Sequence, residues 1–457
     1  MNILLVEPNF PYPNKSKNKA NEIHRNFVPI GLLKIGAFYK DMGVTVKLVR
    51  GKVGKSEVEF TPTKIFVTSI FTYWSKYVWD TVGYYRQLYP DAEITIGGIY
   101  ATLHYRRVGF KRNLEKYNAQ RHIGLFREAE KFYPDYSLLE KDVDHHVTHA
   151  MRGCIRRCSF CGTWRIEPKR YDKPVEELIE EIKSVGKNKV IFFDNNFFAH
   201  KNIKNLLGEL AKVRVNGHPV SYESQSGFDG RLLQKHPDYA TLLKQANFKN
   251  IRIAWDSSYV KYRSIKTQLD ILEDAGYDPK YIAIFMIYNY DTSFEDMVRK
   301  LHKCKEWGVQ VNDCRYRPIK VKYDNYNSRK YKKGQTPKDY YIHIKGGWTD
   351  KKVRDFRRQV REHNISIRCG HPYSKDMERW SDVHNAFKFF GLNRPPEYQK
   401  IITSPTLDRR VMLMKKIRNF LKKHKKMSMN LQGLRMPQID QLLLETTESL
   451  GIQISKN

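Results

Sequence analysis

The sequence predicts an α/β protein that begins with a doubly wound parallel sheet. Two observations indicate this class. Short apolar segments alternate with segments of helical periodicity along residues 1–103, and a second alternating series starts at residue 146. Because strands joined by helices pair in parallel, their carboxyl ends meet at one edge, where ligand-binding loops collect. We therefore expect two α/β regions, each with a binding edge.

The first region contains predicted strands that end in small residues. The strands are at residues 3–6, 44–49, 65–70 and 94–98, and the helices are at 29–43 and 77–88. Ser69 lies at the end of the third strand, and Gly97 and Gly98 end the fourth. Glycines at such a place either make a turn or let a ligand approach the backbone. These three residues are the binding candidates of this edge.

The most specific feature of the chain is a group of cysteines. Cys154, Cys158 and Cys161 are three of the six cysteines and lie within eight residues. Thiols at C-x3-C-x2-C spacing indicate one metal centre, and three ligands leave one coordination position open to a substrate or cofactor. The alternative is a structural zinc knuckle, which needs a fourth ligand. The nearby histidines that would supply it are His145, His146 and His149.

The second region delivers these cysteines after its first strand. Its predicted strands are at 146–151, 190–197, 220–225, 250–255, 281–288 and 309–315, and its predicted helices are at 173–182, 202–214, 240–245, 266–275 and 294–307. Polar residues at the strand ends are candidates for ligand binding, although each could equally be a turn or cap residue. The set includes Asp194, Asn195, Asn196, Gln225 and Asp256.

The cysteine motif has an aromatic residue, Phe160, directly before its third cysteine. In this it resembles the C-x3-C-x-aromatic-C signature of the radical S-adenosylmethionine (SAM) enzymes. The resemblance implies that Cys154, Cys158 and Cys161 hold a [4Fe-4S] cluster and that SAM binds its open iron. Reductive cleavage of SAM would then give a 5′-deoxyadenosyl radical. It also implies a (βα)6 partial TIM barrel over residues 146–318, with Phe160 near the adenine.

A second run of residues carries the same resemblance. Residues 192–197 resemble the F-x-D-x-N-F element of one class of this superfamily, where the element supports the methionine end of SAM. The resemblance therefore implies that Asp194, Asn195 and Asn196 bind SAM there. By the same resemblance, polar groups near Gln225 and Asp256 would contact its ribose, carboxylate or adenine. A zwitterionic ligand rich in hydroxyls needs such a set of polar partners.

Residues 1–103 resemble the cobalamin-binding type of domain that precedes the barrel in a large class of radical SAM enzymes. The matching residues are the run 29–33, Ser69, Gly97 and Gly98. The chain lacks D-x-H-x-x-G, the motif that supplies a histidine to cobalt in many corrinoid proteins. Two expectations stay open: cobalamin binds without a protein histidine, or the domain is a scaffold without the cofactor. Residues 104–145 are expected to connect this domain to the barrel.

The charge of the chain is strongly positive. Its 82 Lys and Arg against 49 Asp and Glu give a net charge of +33, which favours a nucleic acid or another polyanion as substrate or partner. The expected C-terminal region, residues 319–457, is basic and mainly helical. A basic amphipathic helix around 413–421 would hold nucleic acid, lie on anionic lipid or pack on the protein. No zinc-finger, RNA-recognition or helix-turn-helix motif accompanies it.

Together these patterns predict a radical SAM enzyme with an unidentified substrate. The reaction would be cobalamin-dependent methylation or, without cobalamin, rearrangement or oxidation. The rival is a nucleic-acid-binding protein with a structural metal knuckle. The enzyme would need a reductant such as flavodoxin or ferredoxin. No apolar run approaches the length of a membrane span, and the N-terminus lacks the pattern of a signal peptide. We therefore expect a cytoplasmic protein, since a reducing compartment suits an oxygen-sensitive cluster.

Overall fold

The computed structural model describes residues 1–11, 28–326 and 336–369, together with Tyr373. The chain divides into two compact units. The first comprises Met1–Pro11 and Phe27–Val360, and the second comprises Tyr12–Asn26 and Arg361–Asn457. Both α/β regions lie in the first unit. The expected domain boundaries at residues 103, 145 and 318 fall inside this unit and stay predictions.

Parallel strands form the N-terminal sheet. They are β1 Asn2–Glu7, β2 Thr45–Arg50, β3 Lys64–Thr68, β4 Glu93–Gly97 and β5 Ala119–Arg121, in the order β2-β1-β3-β4-β5. The helices of this region are α1 Ile30–Asp41, α2 Lys55–Val58, α3 Ser75–Leu88, α4 Ile99–His104 and α5 Val108–Lys116. The strand order reverses between β1 and β3, and ligands of doubly wound sheets bind at such a reversal.

The end of this sheet differs from the sequence-based expectation. The first four strands and helices α1 and α3 lie within a few residues of their predicted positions. However, α5 and β5 belong to the stretch 104–145 that was expected only to connect two domains. Because β5 pairs with β4 in parallel, the sheet continues to Arg121.

The second region is the partial barrel, built from parallel strands in two three-stranded sheets. The first sheet holds β6 His146–Thr148, β9 Lys189–Phe192 and β12 Ser221–Ser224, and the second holds β13 Arg252–Ala254, β14 Ala283–Tyr288 and β15 Gln310–Arg315. A parallel bridge between Phe228 and Ile253 joins the two sheets. Two short antiparallel ladders complete the strands: β7 Met151–Arg152 with β8 Tyr171–Asp172, and β10 Arg214–Val215 with β11 His218–Pro219.

The short helix α6 Thr163–Ile166 follows the cysteine loop. The outside of the barrel is covered by α7 Val175–Val185, α8 Ile203–Lys212, α9 Gly230–Lys235, α10 Asp238–Gln245, α11 Tyr262–Asp274 and α12 Phe294–Glu306. Helix α7 shows why they pack there: Val175, Leu178 and Ile182 form one buried stripe, and Gly186 ends the helix in a left-handed conformation. The α/β class and the six-strand count of the predicted barrel are confirmed.

Strand alternation separates the core from the barrel interior. On β14, Ile284, Met286 and Tyr288 are buried in the core formed with the helices. Their neighbours therefore point to the opposite face, which is the interior of the barrel. Cys314 on β15 is paired in register with Ile287 and lies on that interior face, where its side chain is exposed.

The region after the barrel is described in part. Helix α13 Asp350–Cys369 lies in the part of the chain predicted to be basic and mainly helical, and it buries Val353, Phe356 and Val360. The predicted basic helix at 413–421 lies outside the described residues. Among the described helices, none has the length and apolar composition needed to cross a bilayer.

Candidate functional site

The cysteine loop lies at the carboxyl end of β6 and is framed by the β7–β8 ladder. Gly153 opens the loop with a φ of +77°, and a Cβ atom at this position would lie 2.9 Å from the carbonyl oxygen of Lys169. A residue with a side chain cannot adopt this conformation without moving the β8 side of the ladder. The loop therefore leaves the barrel at a point that only glycine fits.

The three thiols are free and partly buried. The backbone N–H of Arg156 donates to the Cys154 sulfur at 3.3 Å, and that of Thr163 donates to the Cys161 sulfur at 3.4 Å. Burial raises the pKa of Cys158, and the neighbouring Cys161 and Asp256 raise it further. Backbone donors aimed at sulfur are the groups that stabilise thiolates when a metal is bound.

Asp194 supports the loop from beneath. Its carboxylate accepts the backbone N–H groups of Ala150 and Met151 at 3.0 and 2.6 Å, and its side chain is fully buried. Burial raises the pKa of Asp194 to about 7, although both hydrogen bonds oppose the shift. The structure thus gives this predicted SAM ligand a contact with the strand that leads into the cysteine loop.

Asn195 and Asn196 also contact the loop. Asn195 donates to Glu167 at 2.9 Å and accepts from the Thr163 hydroxyl at 3.1 Å. Asn196 donates to Asp229 at 3.1 Å, which in turn pairs with Arg156 of the loop at 2.9 Å. The side-chain oxygen of Asn196 is buried without a hydrogen-bond partner among the described residues. It is an acceptor left available to a ligand with a donor group.

The other predicted barrel residues surround the interior. The Gln225 side-chain oxygen is buried and unpaired within the described part of the chain. Asp256 is among the charges that raise the pKa of both Cys158 and Cys314. Burial raises the pKa of Asp256 to about 6, against the charges of Lys300 and Arg231. Phe160 packs edge-on against Tyr290, with ring centroids 5.9 Å apart.

The segment after the barrel is bound to the same place. Asn289, at the end of β14, donates to the carbonyl oxygens of Tyr316 and Tyr341 at 3.2 and 3.1 Å. The Trp348 indole donates to the carbonyl oxygen of Tyr290 at 2.8 Å, and the Tyr290 hydroxyl meets that of Ser159 in the cysteine loop at 2.9 Å. Residues 336–348 therefore hold Tyr290 against the loop, a contribution that no sequence pattern indicated.

The donor set of the loop fits a cluster with one open position: three thiols in one loop, two of which already receive backbone N–H donors. In the structure as described, no group of three or more His, Cys, Asp or Glu side chains is gathered at metal-binding distances, and this includes the three loop cysteines. Two of the three histidines offered as a fourth zinc ligand have other partners, whereas the Nδ1 atom of His149 is buried without a hydrogen-bond partner among the described residues. His146 lies 3.2 Å from Glu181, and His145 lies 2.8 Å from Asp144.

A cavity of about 370 Å³ lies between the N-terminal sheet and the cysteine loop. Most of its wall is apolar, and Phe66, Ile99 and Phe126 contribute from the sheet side. Gly97 and Gly98 line it as predicted, whereas Ser69 lies behind them, fully buried. The polar part of the wall comes from both regions: Lys34, Glu130, His149, Arg152, Thr163, Glu167 and Asn195.

Ser69 and Gly98 form one tight backbone arrangement at the cavity wall. The Ser69 hydroxyl donates to the Gly97 carbonyl oxygen at 2.5 Å and accepts the Ala101 N–H at 3.1 Å. Gly98 has a φ of +97°, and a Cβ atom there would lie 3.0 Å from the Ser69 carbonyl oxygen. The wall is thus bare backbone, which fits a large flat ligand that approaches closely.

Sequence reasoning missed Arg152, Glu167, His149 and Lys34 as parts of this cavity. Their contribution depends on the contact between the two α/β regions, which residue order alone does not show. Glu130 belongs to residues 104–145, which the sequence predicts as a connecting segment and not as part of a binding site.

A partial barrel with a three-cysteine loop at its strand ends defines a recognisable class of enzyme domain. Residues 149–327 match the family model for the radical SAM superfamily. This stretch is similar to that superfamily and contains all three cysteines of the loop.

Two solved structures show weaker likenesses. One is the cobalamin-dependent SAM radical enzyme OxsB with aqua-cobalamin bound, at 12% identity over 99% of this chain and 76% of that chain, with a TM-score of 0.48. The other is methylornithine synthase PylB, at 13% identity over 48% of this chain and 62% of that chain, with a TM-score of 0.32. No curated protein matches the sequence significantly.

Proposed function

We propose that the protein is a radical SAM enzyme in which Cys154, Cys158 and Cys161 hold a [4Fe-4S] cluster and SAM occupies the open position. The observation that carries this proposal is the three-thiol loop at the strand ends of a radical SAM barrel. When bound and reduced, the cluster supplies the electron that cleaves SAM. The reductant would be a small electron-transfer protein such as flavodoxin or ferredoxin.

The polar groups of the barrel support the binding of SAM. Asn196 and Gln225 each have a buried oxygen without a partner in the described structure, and such groups are satisfied when a ligand donor reaches them. Asp256 adds a carboxylate whose charge acts on Cys158. The amino and hydroxyl groups of SAM are donors of this kind. Asp194, in contrast, acts through the backbone of the strand before the loop.

We further propose that the cavity takes cobalamin and that the reaction is methyl transfer to an unreactive carbon. Supporting observations are the apolar wall, the bare backbone at Gly97 and Gly98, and the position of the cavity beside the cysteine loop. A macrocycle with amide side arms suits a wall that is apolar with a polar rim. If the cavity takes no corrin, the proposed chemistry becomes rearrangement or oxidation.

Anaerobic reconstitution of the full-length protein tests the first proposal. We expect about four irons per chain, a brown chromophore, and 5′-deoxyadenosine when SAM and dithionite are added. Cys158→Ala should lose both iron and cleavage, whereas Cys304→Ala, which removes a buried thiol far from the loop motif, should keep both. A colourless zinc protein that shifts nucleic acid in a gel would support the rival function instead.

The cobalamin proposal needs a separate measurement. The reconstituted protein is mixed with hydroxocobalamin under reducing, SAM-containing conditions and passed through a desalting column. We expect the corrin absorbance to elute with the protein. If it elutes with the small molecules, methyl transfer is refuted and the cluster assignment is untouched.

A further inference from the structure

A continuous row of polar contacts joins the N-terminal sheet to the cysteine loop. Lys34 on α1 pairs with Glu130 at 2.9 Å. Both carboxylate oxygens of Glu130 accept hydrogen bonds from the Arg152 guanidinium, each at 3.0 Å. Arg152 also binds Glu167 at 3.0 Å. We call these four side chains, Lys34, Glu130, Arg152 and Glu167, the Glu130 network.

The network ends on the backbone and thiols of the loop. Glu167 accepts the N–H of Gly153 at 2.8 Å and the amide of Asn195 at 2.9 Å. Asn195 accepts the Thr163 hydroxyl, and the Thr163 N–H donates to the Cys161 sulfur. From Glu167, one branch therefore fixes the residue before Cys154, and the other reaches Cys161.

Burial makes the loss of one partner costlier here than in a surface ion pair. The Lys34, Arg152 and Glu167 side chains are 5%, 15% and 10% exposed, and that of Glu130 is 27% exposed. The two positive and two negative charges balance, so removal of one leaves its partner buried and uncompensated. Burial alone would raise the pKa of Glu130, but the charges of Arg152 and Lys34 outweigh it and lower the pKa.

The same residues form the polar wall of the cavity. Lys34, Glu130, Arg152 and Glu167 all line it, together with Thr163 and Asn195. A ligand in the cavity therefore touches the groups that hold the cysteine loop in place.

We propose that Glu130 is a positioning residue through which the cavity and the cysteine loop are coupled, so that a bound corrin and a bound cluster stabilise each other. This inference rests on the proposed function. Glu130 is the central member, because it alone contacts both the sheet-side lysine and the loop-side arginine. Coupling between two binding sites is reciprocal, so either ligand reports on it.

The chain offers a matched control for Glu130. Asp135 pairs with Lys40 at 2.6 Å, which joins the same helix α1 to the same connecting segment. Among the described residues, the side-chain partners of Asp135 are Lys40 and Ser137, and neither belongs to the loop. Glu130→Gln and Asp135→Asn thus remove equivalent charges, one inside the network and one outside it.

The experiment measures the rate at which a chelator removes iron from the reconstituted full-length protein, with and without hydroxocobalamin. We expect Glu130→Gln to release iron about tenfold faster than Asp135→Asn, in the range seen when groups supporting metal ligands are removed. Hydroxocobalamin should slow release from the wild type and Asp135→Asn but not from Glu130→Gln. The electron paramagnetic resonance spectrum of the reduced cluster should change with corrin in the same two proteins.

Two further outcomes separate the claims. Equal release rates in Glu130→Gln and Asp135→Asn would overturn the coupling alone, whereas a wild type that takes up no iron would refute the proposed function as well. If corrin does not bind, the iron-release comparison without it still decides whether Glu130 positions the loop. If Glu130→Gln does not fold, Lys34→Met is used instead, because it removes the partner of Glu130 on α1. If hydroxocobalamin still slows iron release from Lys34→Met, the coupling is contradicted.

Discussion

The two predicted binding edges of the molecule differ in how their polar groups are satisfied. At the N-terminal edge, the Ser69 hydroxyl bonds to Gly97 and Ala101, so its polar groups are used up within the wall. At the barrel edge, Asn196 and Gln225 keep buried oxygens that no described residue satisfies. At the N-terminal edge the Ser69 hydroxyl is already satisfied within the protein, whereas at the barrel edge two buried oxygens remain available to a ligand.

This difference indicates what each edge selects. A wall of backbone and apolar side chains discriminates by shape and contact area, whereas unpaired buried acceptors reject ligands that lack matching donors. The barrel edge also carries charge beneath its first strand. Glu181 there contacts His146, Lys173 and the Thr148 hydroxyl, all out of solvent. The N-terminal edge has no such charge directly behind Ser69 among its described hydrogen-bond partners.

The largest expected effect is at the barrel edge, from Asp194→Ala. This change leaves the buried N–H groups of Ala150 and Met151 without acceptors, and each such group costs about 1–3 kcal/mol. We expect the free energy of unfolding in urea to fall by about 3 kcal/mol and iron uptake to fall with it. The control is Asp142→Ala, which breaks an exposed pair with Lys187 and should cost less than about 1 kcal/mol. Equal losses in the two variants would show that Asp194 does not support the loop.

The second effect is a pH dependence that belongs to the barrel side. Burial alone would raise the pKa of Glu181, but His146 and Lys173 outweigh it and lower the pKa from 4.5 to about 2. A carboxyl whose pKa is lower in the folded state stabilises the fold above pH 4.5, and this stabilisation is lost as the pH falls toward 2. The shift corresponds to about 3 kcal/mol.

The Glu181→Gln variant isolates this contribution. Other carboxyls titrate in the same window, so the quantity to measure is the difference between the two proteins in urea unfolding from pH 6 down to pH 3. The wild type should lose more stability than Glu181→Gln across that range. Parallel curves would contradict the assignment.

The parts of the fold that could be predicted from the sequence are those set by local residues. Strands such as β1 and β14 could be predicted because a short apolar run depends only on nearby residues. β5, with the sequence Ala-Gln-Arg, could not, because an edge strand held by backbone bonds to β4 needs no apolar pattern. Helix α9 is absent from the sequence-based prediction. The Asp229 side chain caps its first turn by accepting the Arg231 N–H.

The candidate site divides in the same way. Cys154, Cys158 and Cys161 could be identified because their ligand spacing is local. The contacts of Asp194 could not, since the same strand-end carboxylate either faces a ligand or accepts backbone N–H groups, depending on how the neighbouring loop folds. Glu167 is separated from Glu130 by a whole loop in sequence, and Arg152 brings them together only in the folded chain.

The third prediction concerns the two neighbouring glycines of the N-terminal edge. Gly98→Ala would place a Cβ atom 3.0 Å from the Ser69 carbonyl oxygen in a left-handed conformation, at a cost of about 2 kcal/mol. Gly97→Ala meets only the Cβ of His122, at an ordinary contact distance of 3.8 Å, and should leave unfolding in urea nearly unchanged. If both variants unfold alike, the tight backbone at Ser69 is not what requires glycine.

The smallest expected effect returns to the barrel edge and tests the comparison most directly. Gln225→Met removes an unpaired buried oxygen while keeping the volume of the side chain, so stability should stay within about 0.5 kcal/mol of the wild type. SAM binding to the reconstituted protein should weaken by about tenfold, since one hydrogen bond to a polar ligand is worth about 1 kcal/mol or slightly more. Corrin binding should not change, because Gln225 is not part of the cavity wall. A variant that binds SAM normally would mean that its oxygen is satisfied in another way, and the contrast between the two edges would then rest on Asn196 alone.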